Sequence, residues 1–126
     1  MNATREPLMT STSATGSPKH HMDHIKPSTF RDWIRNDPAA RFQPKVGRYH
    51  LYVMYGCPWA HRTIIVRALK GLEHAIYMTA VHYFLDEKIG WTFSSEQPDP
   101  LYGLHGLREL YEMADPNYNG RITVPV

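Results

Sequence analysis

Cysteine is nearly absent from this sequence of 126 residues, which contains one, at position 57. A single thiol excludes an internal disulfide and is typical of a reducing compartment, so we expect a cytoplasmic protein. Long hydrophobic runs are also lacking, and no stretch approaches the roughly 20 apolar residues that a membrane-spanning helix needs. The first residues contain no apolar core of a secretory signal either. The sequence therefore predicts neither a membrane segment nor export.

An excess of charge of one sign is lacking as well. The formal net charge is +2 with histidine counted as neutral, and no block of like charges stands out. Proteins that bind nucleic acid neutralise many phosphates with lysine and arginine, so we expect no nucleic-acid partner. The length allows one domain at most.

Residues 1–27 are rich in serine, threonine, proline and histidine and contain few apolar side chains, so we predict a disordered tail. The group His20, His21, Asp23 and His24 has the residue types of a metal site. No second half of a site follows with ligand spacing, so we predict no metal centre. A metal-binding protein remains the third functional hypothesis.

Residues 28–46 are interpreted as an N-terminal extension with a short helix. Phe30, Trp33 and Ile34 are spaced at i, i+3 and i+4, the pattern of one helical face. The Asn-Asp-Pro sequence that ends at Pro38 would terminate this helix. A helix of this length has to dock its aromatic face on the rest of the protein.

Residues 47–126 have the alternation of an α/β domain. A strand at 48–55, a helix at 58–71 and a strand at 75–84 form a βαβ unit, which predicts parallel strands. A long polar loop with Trp91 and Phe93 is predicted at 85–100. A second helix follows at 104–115, and "RITVPV" at the end of the chain reads as the beginning of a third strand.

Cys57 lies between the first predicted strand and the N-terminus of the first helix. The unpaired amides and the dipole of a helix N-terminus stabilise an anion, and a thiolate is such an anion. Pro58 suits the first helical turn, and His61 and Arg62 would add positive potential. These features favour a reactive thiol over the alternative, a buried and inert small side chain.

A dithiol mechanism requires the spacing Cys-x-x-Cys, but the second position is occupied by Ala60. A disulfide formed by Cys57 would therefore be mixed with another molecule, and a second small thiol would have to resolve it. In a reducing compartment glutathione is the obvious candidate.

Three blocks of the sequence occur together in one family: "GRYHLYVMYGCPWAHRTIIVRALKGLE", "GWTF" and "YEMADPNYNGRITVPV". Over residues 28–126 the chain resembles the N-terminal part of the glutathionyl-hydroquinone reductases, the xi class of glutathione transferases, which is related to the omega class. The resemblance implies an incomplete thioredoxin-like fold over residues 47–126, with the order βαβα and the start of a third strand. The helical C-terminal domain of the family would be absent.

The resemblance also implies roles for individual residues. Cys57 would be the catalytic nucleophile, and Trp91 would pack against glutathione, with a cover for the core edge as its alternative. Val124 would pair through its backbone with the peptide of glutathione, and Pro125 would be the cis-proline of thioredoxin-like folds. Arg121 is a further candidate for contact with an anionic ligand, with a solvated strand end as the alternative.

The first functional hypothesis is a glutathione-dependent thiol transferase that reduces glutathionyl-hydroquinones through a mixed disulfide. Its partners would be glutathione and quinone-type small molecules, and full-length relatives would be homodimers. The alternative is a non-catalytic module that binds glutathione or pairs through an exposed strand edge. Because the chain stops one residue after Pro125, we expect a fragment, a short isoform or an early-ending gene model, with marginal stability and weak turnover.

Overall fold

The computed structural model of the protein describes residues 28–126, so the predicted tail and its histidine group lie outside the described residues. The elements in chain order are β1 (Tyr49–Val53), α1 (Pro58–Leu69), β2 (Ile76–Ala80), β3 (Leu85–Asp86), β4 (Gly90–Trp91) and α2 (Leu107–Ala114). Within residues 28–126, neither helix is long and apolar enough to cross a bilayer.

The strands β1 and β2 form a parallel pair, in register from Tyr49 opposite Ile76 to Val53 opposite Ala80. Both strands are rich in aromatic and β-branched side chains, which fit a pleated surface that is covered on its faces. The helix α1 connects the two strands along the chain. The predicted βαβ unit is therefore confirmed.

The two faces of β1 contact two separate hydrophobic clusters. On one face, Tyr52 belongs to a buried cluster with Val81, Leu107 and Val124. On the other face, Val53 belongs to a buried cluster with Ala60 and Ala80. Side chains alternate between the faces of a strand, so the consecutive residues Tyr52 and Val53 belong to different clusters. The prediction of an interior strand with apolar bulk on both faces is confirmed.

The helix α1 begins at Pro58, as the sequence predicts, and ends at Leu69, two residues before the predicted end. Pro58 occupies its first turn, where a missing N–H costs no hydrogen bond. At the other end, Gly71 has a φ of 61° and donates its N–H to the carbonyl of Ala68 at 3.0 Å. Glycine adopts this left-handed conformation without a steric penalty, which stops the helix cleanly.

Replacing Gly71 with Ala is expected to lower the free energy of unfolding by about 1 kcal/mol, because a Cβ penalises the left-handed conformation. No heavy atom lies within 4 Å of the position that the new Cβ would occupy, so the cost is conformational and not steric. Urea denaturation of the two proteins measures this difference. An unchanged or higher urea midpoint in the variant would contradict the prediction.

The spacing of apolar residues in α1 predicts a buried stripe along Ala60, Ile64, Ala68 and Leu72, with Ile65 and Leu69 beside it, and this stripe is only partly buried. Ala60 is fully buried, whereas Ile65 and Leu69 are 43% and 81% exposed. The prediction is wrong for Leu69, which is exposed to solvent. An apolar groove lies beside α1, between Ile34, Tyr49, Leu51, Val66, Leu72 and Ile76.

The predicted short helix in the N-terminal extension is wrong. Ile34 instead forms an isolated parallel bridge with Phe42, and Trp33 is 74% exposed. Phe30 turns to the aromatic rings of Tyr111 and Tyr118, with centroid distances of 5.7 and 5.4 Å. A helix of two turns is marginal in water. These separate contacts of Phe30 and Ile34 therefore replace the single helical face.

The segment 85–100, predicted as a long loop, contains a small antiparallel hairpin. Its strands β3 and β4 pair Leu85 with Trp91. The carboxylate of Asp86 accepts hydrogen bonds from the N–H groups of Lys88 at 2.8 Å and Ile89 at 3.0 Å, which closes the turn. Gly90 follows with a φ of 81°. Local side-chain hydrogen bonds of this kind organise a turn that hydrophobic periodicity does not reveal.

The helix α2 confirms the second predicted helix, although it begins three residues later than expected. The carboxylate of Glu109 accepts hydrogen bonds from the N–H groups of Gly106 at 3.1 Å and His105 at 3.0 Å, and these bonds set its start. Leu107 and Tyr111 are its buried side chains.

The end of the chain lies beside β1, on the side opposite β2. Val126 and Tyr52 exchange two main-chain hydrogen bonds, with N–O distances of 2.6 and 3.0 Å. This reciprocal exchange is the hydrogen-bonded pair of an antiparallel ladder. The predicted third strand is thus present as one residue pair and not as a full strand.

Candidate functional site

Cys57 is the residue immediately before α1, in the N-cap position. The main chain reaches it through a turn in which the N–H of Cys57 donates to the carbonyl of Met54 at 3.0 Å. The carbonyl of Cys57 then accepts the first helical hydrogen bond, from His61 at 2.9 Å. The side chain is half-buried and free of any disulfide. The predicted position of the thiol at a helix N-terminus is therefore confirmed.

The sulfur atom does not contact the first-turn amides as the sequence suggested. Cys57 makes no side-chain cap hydrogen bond; its Sγ instead lies 3.7 Å from the carbonyl oxygen of Val124, to which the thiol donates. A thiol is a weak hydrogen-bond donor, and the carbonyl oxygen of Val124 accepts its proton. The expected direct amide–sulfur contact is thus replaced by a contact across the domain.

Val124 and Pro125 form the segment that faces the thiol. Val124 is 7% exposed and belongs to the same cluster as Tyr52. The peptide bond between Val124 and Pro125 is cis, as the family resemblance implied. The main-chain pairing of Val126 with Tyr52 holds this segment against β1.

Trp91 lies on β4 and packs against the same hydrophobic cluster as Cys57. The main chain around it is held closely: Thr92 forms a bridge with Gly106, and Phe93 donates its N–H to the carbonyl of His105 at 2.9 Å. A Cβ added to Gly106 would lie 3.0 Å from the carbonyl oxygen of Trp91. The structure therefore brings Cys57, Trp91 and Val124 together around one cluster.

The cationic candidates are not part of this group. His61 and Arg62 are exposed on α1, and the guanidinium of Arg62 lies 4.9 Å from the centroid of the Trp59 ring. Arg121 is exposed, and its carbonyl accepts a hydrogen bond from the Tyr118 hydroxyl at 2.8 Å. Support of the thiolate by His61 and Arg62, and anion binding by Arg121, remain predictions.

No protein-family model matches the chain. Its sequence is 53% identical over 102 residues to glutathione S-transferase omega-like 2 of Schizosaccharomyces pombe, a match that covers 79% of this chain and 32% of that protein. It is 47% identical over 109 residues to glutathionyl-hydroquinone reductase YqjG of Escherichia coli, covering 79% and 33%. The solved structure of a Xi class GST from Natrialba magadii matches with a TM-score of 0.75 at 50% identity, covering 79% and 32%. The chain belongs to the Xi-class, omega-like glutathione transferase family.

The chain spans about a third of the length of these Xi-class and omega-like relatives. The matches confirm the predicted fold class, a partial thioredoxin-like glutathione transferase domain. A glutathione-bound structure of YqjG matches with a TM-score of 0.72 at 46% identity and covers 77% of this chain and 34% of that one.

One buried residue of this Xi-class chain was not indicated by the sequence analysis: Asp99, which is 5% exposed. Its carboxylate accepts a hydrogen bond from the Tyr52 hydroxyl at 2.6 Å. It also accepts three from main-chain N–H groups, those of Leu101, Tyr102 and Leu104, at 3.3, 3.0 and 3.2 Å. The signal that points to it is the stretch "DPLYG", because aspartate often accepts hydrogen bonds from the N–H groups that follow it in a turn.

These contacts fix the protonation states around Asp99. Burial alone would raise the pKa of Asp99, but the hydrogen bonds from Tyr52 and the main chain outweigh it and hold this pKa below its usual range. Burial and the hydrogen bond to Asp99 raise the pKa of Tyr52. Burial also lowers the pKa of His50, whose ring lies 4.7 Å from that of Tyr52. At neutral pH Asp99 is therefore ionised, while Tyr52 and His50 are neutral.

The lowered pKa of Asp99 predicts a loss of stability in acid. The carboxylate stabilises the fold above its unfolded pKa of about 3.9, and this contribution is lost as the pH falls from there through the lower folded pKa. We expect the free energy of unfolding to fall between about pH 5 and about pH 3, and Asp99→Asn to flatten that fall. Urea denaturation at both pH values measures it.

The control for this acid titration is Asp86→Asn, because the pKa of Asp86 is also lowered, by hydrogen bonds from Ile89 and Lys88, but in the exposed hairpin turn. This control is expected to keep most of the fall. A full acid dependence in Asp99→Asn would contradict the assignment to Asp99.

A cleft of about 570 Å³ lies beside the loop that carries Cys57 in this Xi-class domain. It is located at the carboxyl ends of β1 and β2, the edge at which open α/β sheets bind ligands. Its lining is mixed polar and aromatic and includes Tyr55, Gly56, His82, Tyr83, Ser94 and Glu96.

Proposed function

We propose that this chain performs the thiol chemistry of a glutathionyl-hydroquinone reductase, with Cys57 as the nucleophile and glutathione as the cosubstrate. The observation that carries the proposal is the placement of the only thiol at the start of α1, 3.7 Å from the Val124 carbonyl. The helix dipole favours negative charge at this point even without a direct amide–sulfur bond. The similarity to a glutathionyl-hydroquinone reductase supports the same chemistry.

In the first step, the Cys57 thiolate attacks the sulfur of a glutathionyl-hydroquinone. An S–S bond forms, the bond between that sulfur and the aromatic carbon breaks, and the carbon keeps the electron pair and takes up a proton. In the second step, a glutathione thiolate attacks the glutathione sulfur of the mixed disulfide and releases the Cys57 thiolate. The net change converts one glutathionyl-hydroquinone and one glutathione into the hydroquinone and oxidised glutathione.

Two further residues are proposed to hold glutathione during these steps. The main chain of Val124 would pair with the peptide of glutathione, and Trp91 would pack against it. Both residues contact the cluster that also contacts Cys57, which supports this assignment. The cleft beside Tyr55 and His82 would provide room for the aromatic part of the substrate.

We propose a reducing, cytoplasmic location, quinone-type substrates and homodimers for the full-length proteins. We also propose weak or absent turnover by this chain alone, since Val66 and Leu69 leave apolar surface uncovered and the match covers only 32% of a longer relative.

Intact-mass spectrometry after exposure to oxidised glutathione tests the proposal. The expected result is one glutathione adduct per chain, located at Cys57 and removed by excess glutathione. A thiol that is alkylated by iodoacetamide yet forms no adduct would contradict the proposal. Glutathione binding without an adduct, measured by calorimetry, would support the non-catalytic alternative.

A further inference from the structure

We propose that Asp99 is a positioning residue for the Cys57 site, and that it fixes the main chain on both sides of the thiol. The consequence for catalysis rests on the proposed function, whereas the effect on the main chain does not. Asp99 itself contacts neither Cys57 nor Trp91 by a hydrogen bond among the described residues, so its action is transmitted through Tyr52 and the turn at 101–104.

The first side is the segment that faces the sulfur. The carboxylate of Asp99 holds the hydroxyl of Tyr52 at 2.6 Å. The main chain of Tyr52 exchanges two hydrogen bonds with Val126, and the carbonyl of Val124 lies 3.7 Å from Sγ of Cys57. A shift of Tyr52 would therefore displace the carbonyl that contacts the thiol.

The second side is the hairpin that carries Trp91. Asp99 accepts the N–H of Leu104 at 3.2 Å, which fixes the chain just before α2. The next two residues hold the hairpin: the carbonyl of His105 accepts the N–H of Phe93, and Gly106 forms the bridge with Thr92. The carboxylate of Asp99 thus fixes both the main chain that holds the hairpin of Trp91 and the strand residue that holds the segment of Val124.

The ionised carboxylate is needed because it accepts from four donors and donates to none. An asparagine at this position would direct its NH₂ group at some of these donors, since an amide accepts only through its oxygen. Removal of a hydrogen-bonding partner from a buried group leaves the remaining polar groups unsatisfied. The variants Asp99→Asn and Tyr52→Phe therefore both test the hydrogen bond between Tyr52 and Asp99. Asp99→Asn is the larger perturbation, and Tyr52→Phe, which removes only the hydroxyl, is the smaller one.

The experiment compares these two variants with the wild-type chain and with Asp115→Asn. The control residue accepts one main-chain N–H, that of Asn117 at 3.0 Å, in a turn after α2, and asparagine can replace it there. The readouts are amide hydrogen exchange by NMR, the rate of mixed-disulfide formation with oxidised glutathione, and the rate of alkylation by iodoacetamide. Far-UV circular dichroism identifies a variant that does not fold, in which case Tyr52→Phe carries the test.

We expect protection of the Tyr52 and Val126 amides to fall by roughly tenfold in Asp99→Asn, the size of one lost hydrogen bond to a charged group. Amides of α1 should change less than about twofold, as should every readout in Asp115→Asn. Mixed-disulfide formation should slow by a similar tenfold, because glutathione needs the Val124 main chain. Iodoacetamide alkylation should not slow, because this small reagent needs no main-chain partner.

A uniform loss of protection in both helices and both strands would overturn the proposal, because it would indicate a stability effect alone. Unchanged protection at Tyr52 and Val126 in both variants would overturn it equally. If the wild-type chain forms no mixed disulfide, the proposed function fails, and the exchange pattern still decides whether Asp99 positions the main chain. If the mixed disulfide forms at the same rate in the folded variants, the role of Asp99 in the reaction is refuted while the proposed function stands.

Discussion

The Cys57→Ser variant is expected to form no adduct with oxidised glutathione and to lose any turnover of glutathionyl-hydroquinones that the wild-type chain has. The chain contains no other cysteine, so no second thiol can replace the nucleophile. A serine hydroxyl remains protonated under conditions in which a thiol ionises, and the thiolate is the attacking species. Intact-mass spectrometry and a spectrophotometric assay of hydroquinone release measure the two losses.

The control for this variant is the wild-type chain with its thiol blocked by iodoacetamide, which should be equally inactive. Serine is a favoured N-cap residue, and its hydroxyl can donate to the Val124 carbonyl as the thiol does, so the fold should be retained. Circular dichroism checks this expectation. Hydroquinone release by a folded Cys57→Ser chain would refute the role of the thiol.

The largest expected effect on stability comes from Leu107→Ala. Leu107 is fully buried at the start of α2 and lies in one cluster with Tyr52, Val81 and Val124. Removal of its side chain leaves a cavity, and such substitutions lower the free energy of unfolding by about 2–5 kcal/mol. This is a large part of the 5–15 kcal/mol of a typical domain, so we expect a partly unfolded chain at room temperature.

The matched control is Leu69→Ala, which changes the same residue type at a position that is 81% exposed. Substitutions at such sites usually change the stability by less than about 0.5 kcal/mol. Urea denaturation followed by circular dichroism compares the three proteins. Equal urea midpoints for the two variants would contradict the assignment of the core to the cluster around Leu107.

The sequence predicts the βαβ unit well because each of its signals is local. The apolar run up to Tyr55, the proline at 58 and the glycine at 71 mark a strand, a helix start and a helix end within a few residues. The prediction of a helix around Trp33 failed because the helical spacing of its apolar residues does not specify a partner for the apolar face. Phe30 instead packs against Tyr111 and Tyr118, which are about 80 residues further along the chain.

The site was predicted in part. The positions of Cys57 and Pro58 follow from the strand–helix junction, whereas Trp91, Val124 and the cis-proline came from the family resemblance. Asp99 was missed because its partner Tyr52 lies 47 residues away, a distance that no periodicity spans. The contact between Sγ and the Val124 carbonyl joins residues 67 positions apart and was missed for the same reason.

The uneven burial of the three tryptophans has a consequence for optical measurements. Trp33 and Trp59 are 74% and 66% exposed, so their indole emission already resembles that of a solvated ring. Trp91 is the half-buried one, packed on the cluster that also contacts the thiol. The intrinsic fluorescence will therefore report mainly the local opening of the hairpin at Trp91. If that hairpin detaches before α1 unwinds, the fluorescence change during unfolding will precede the change in ellipticity.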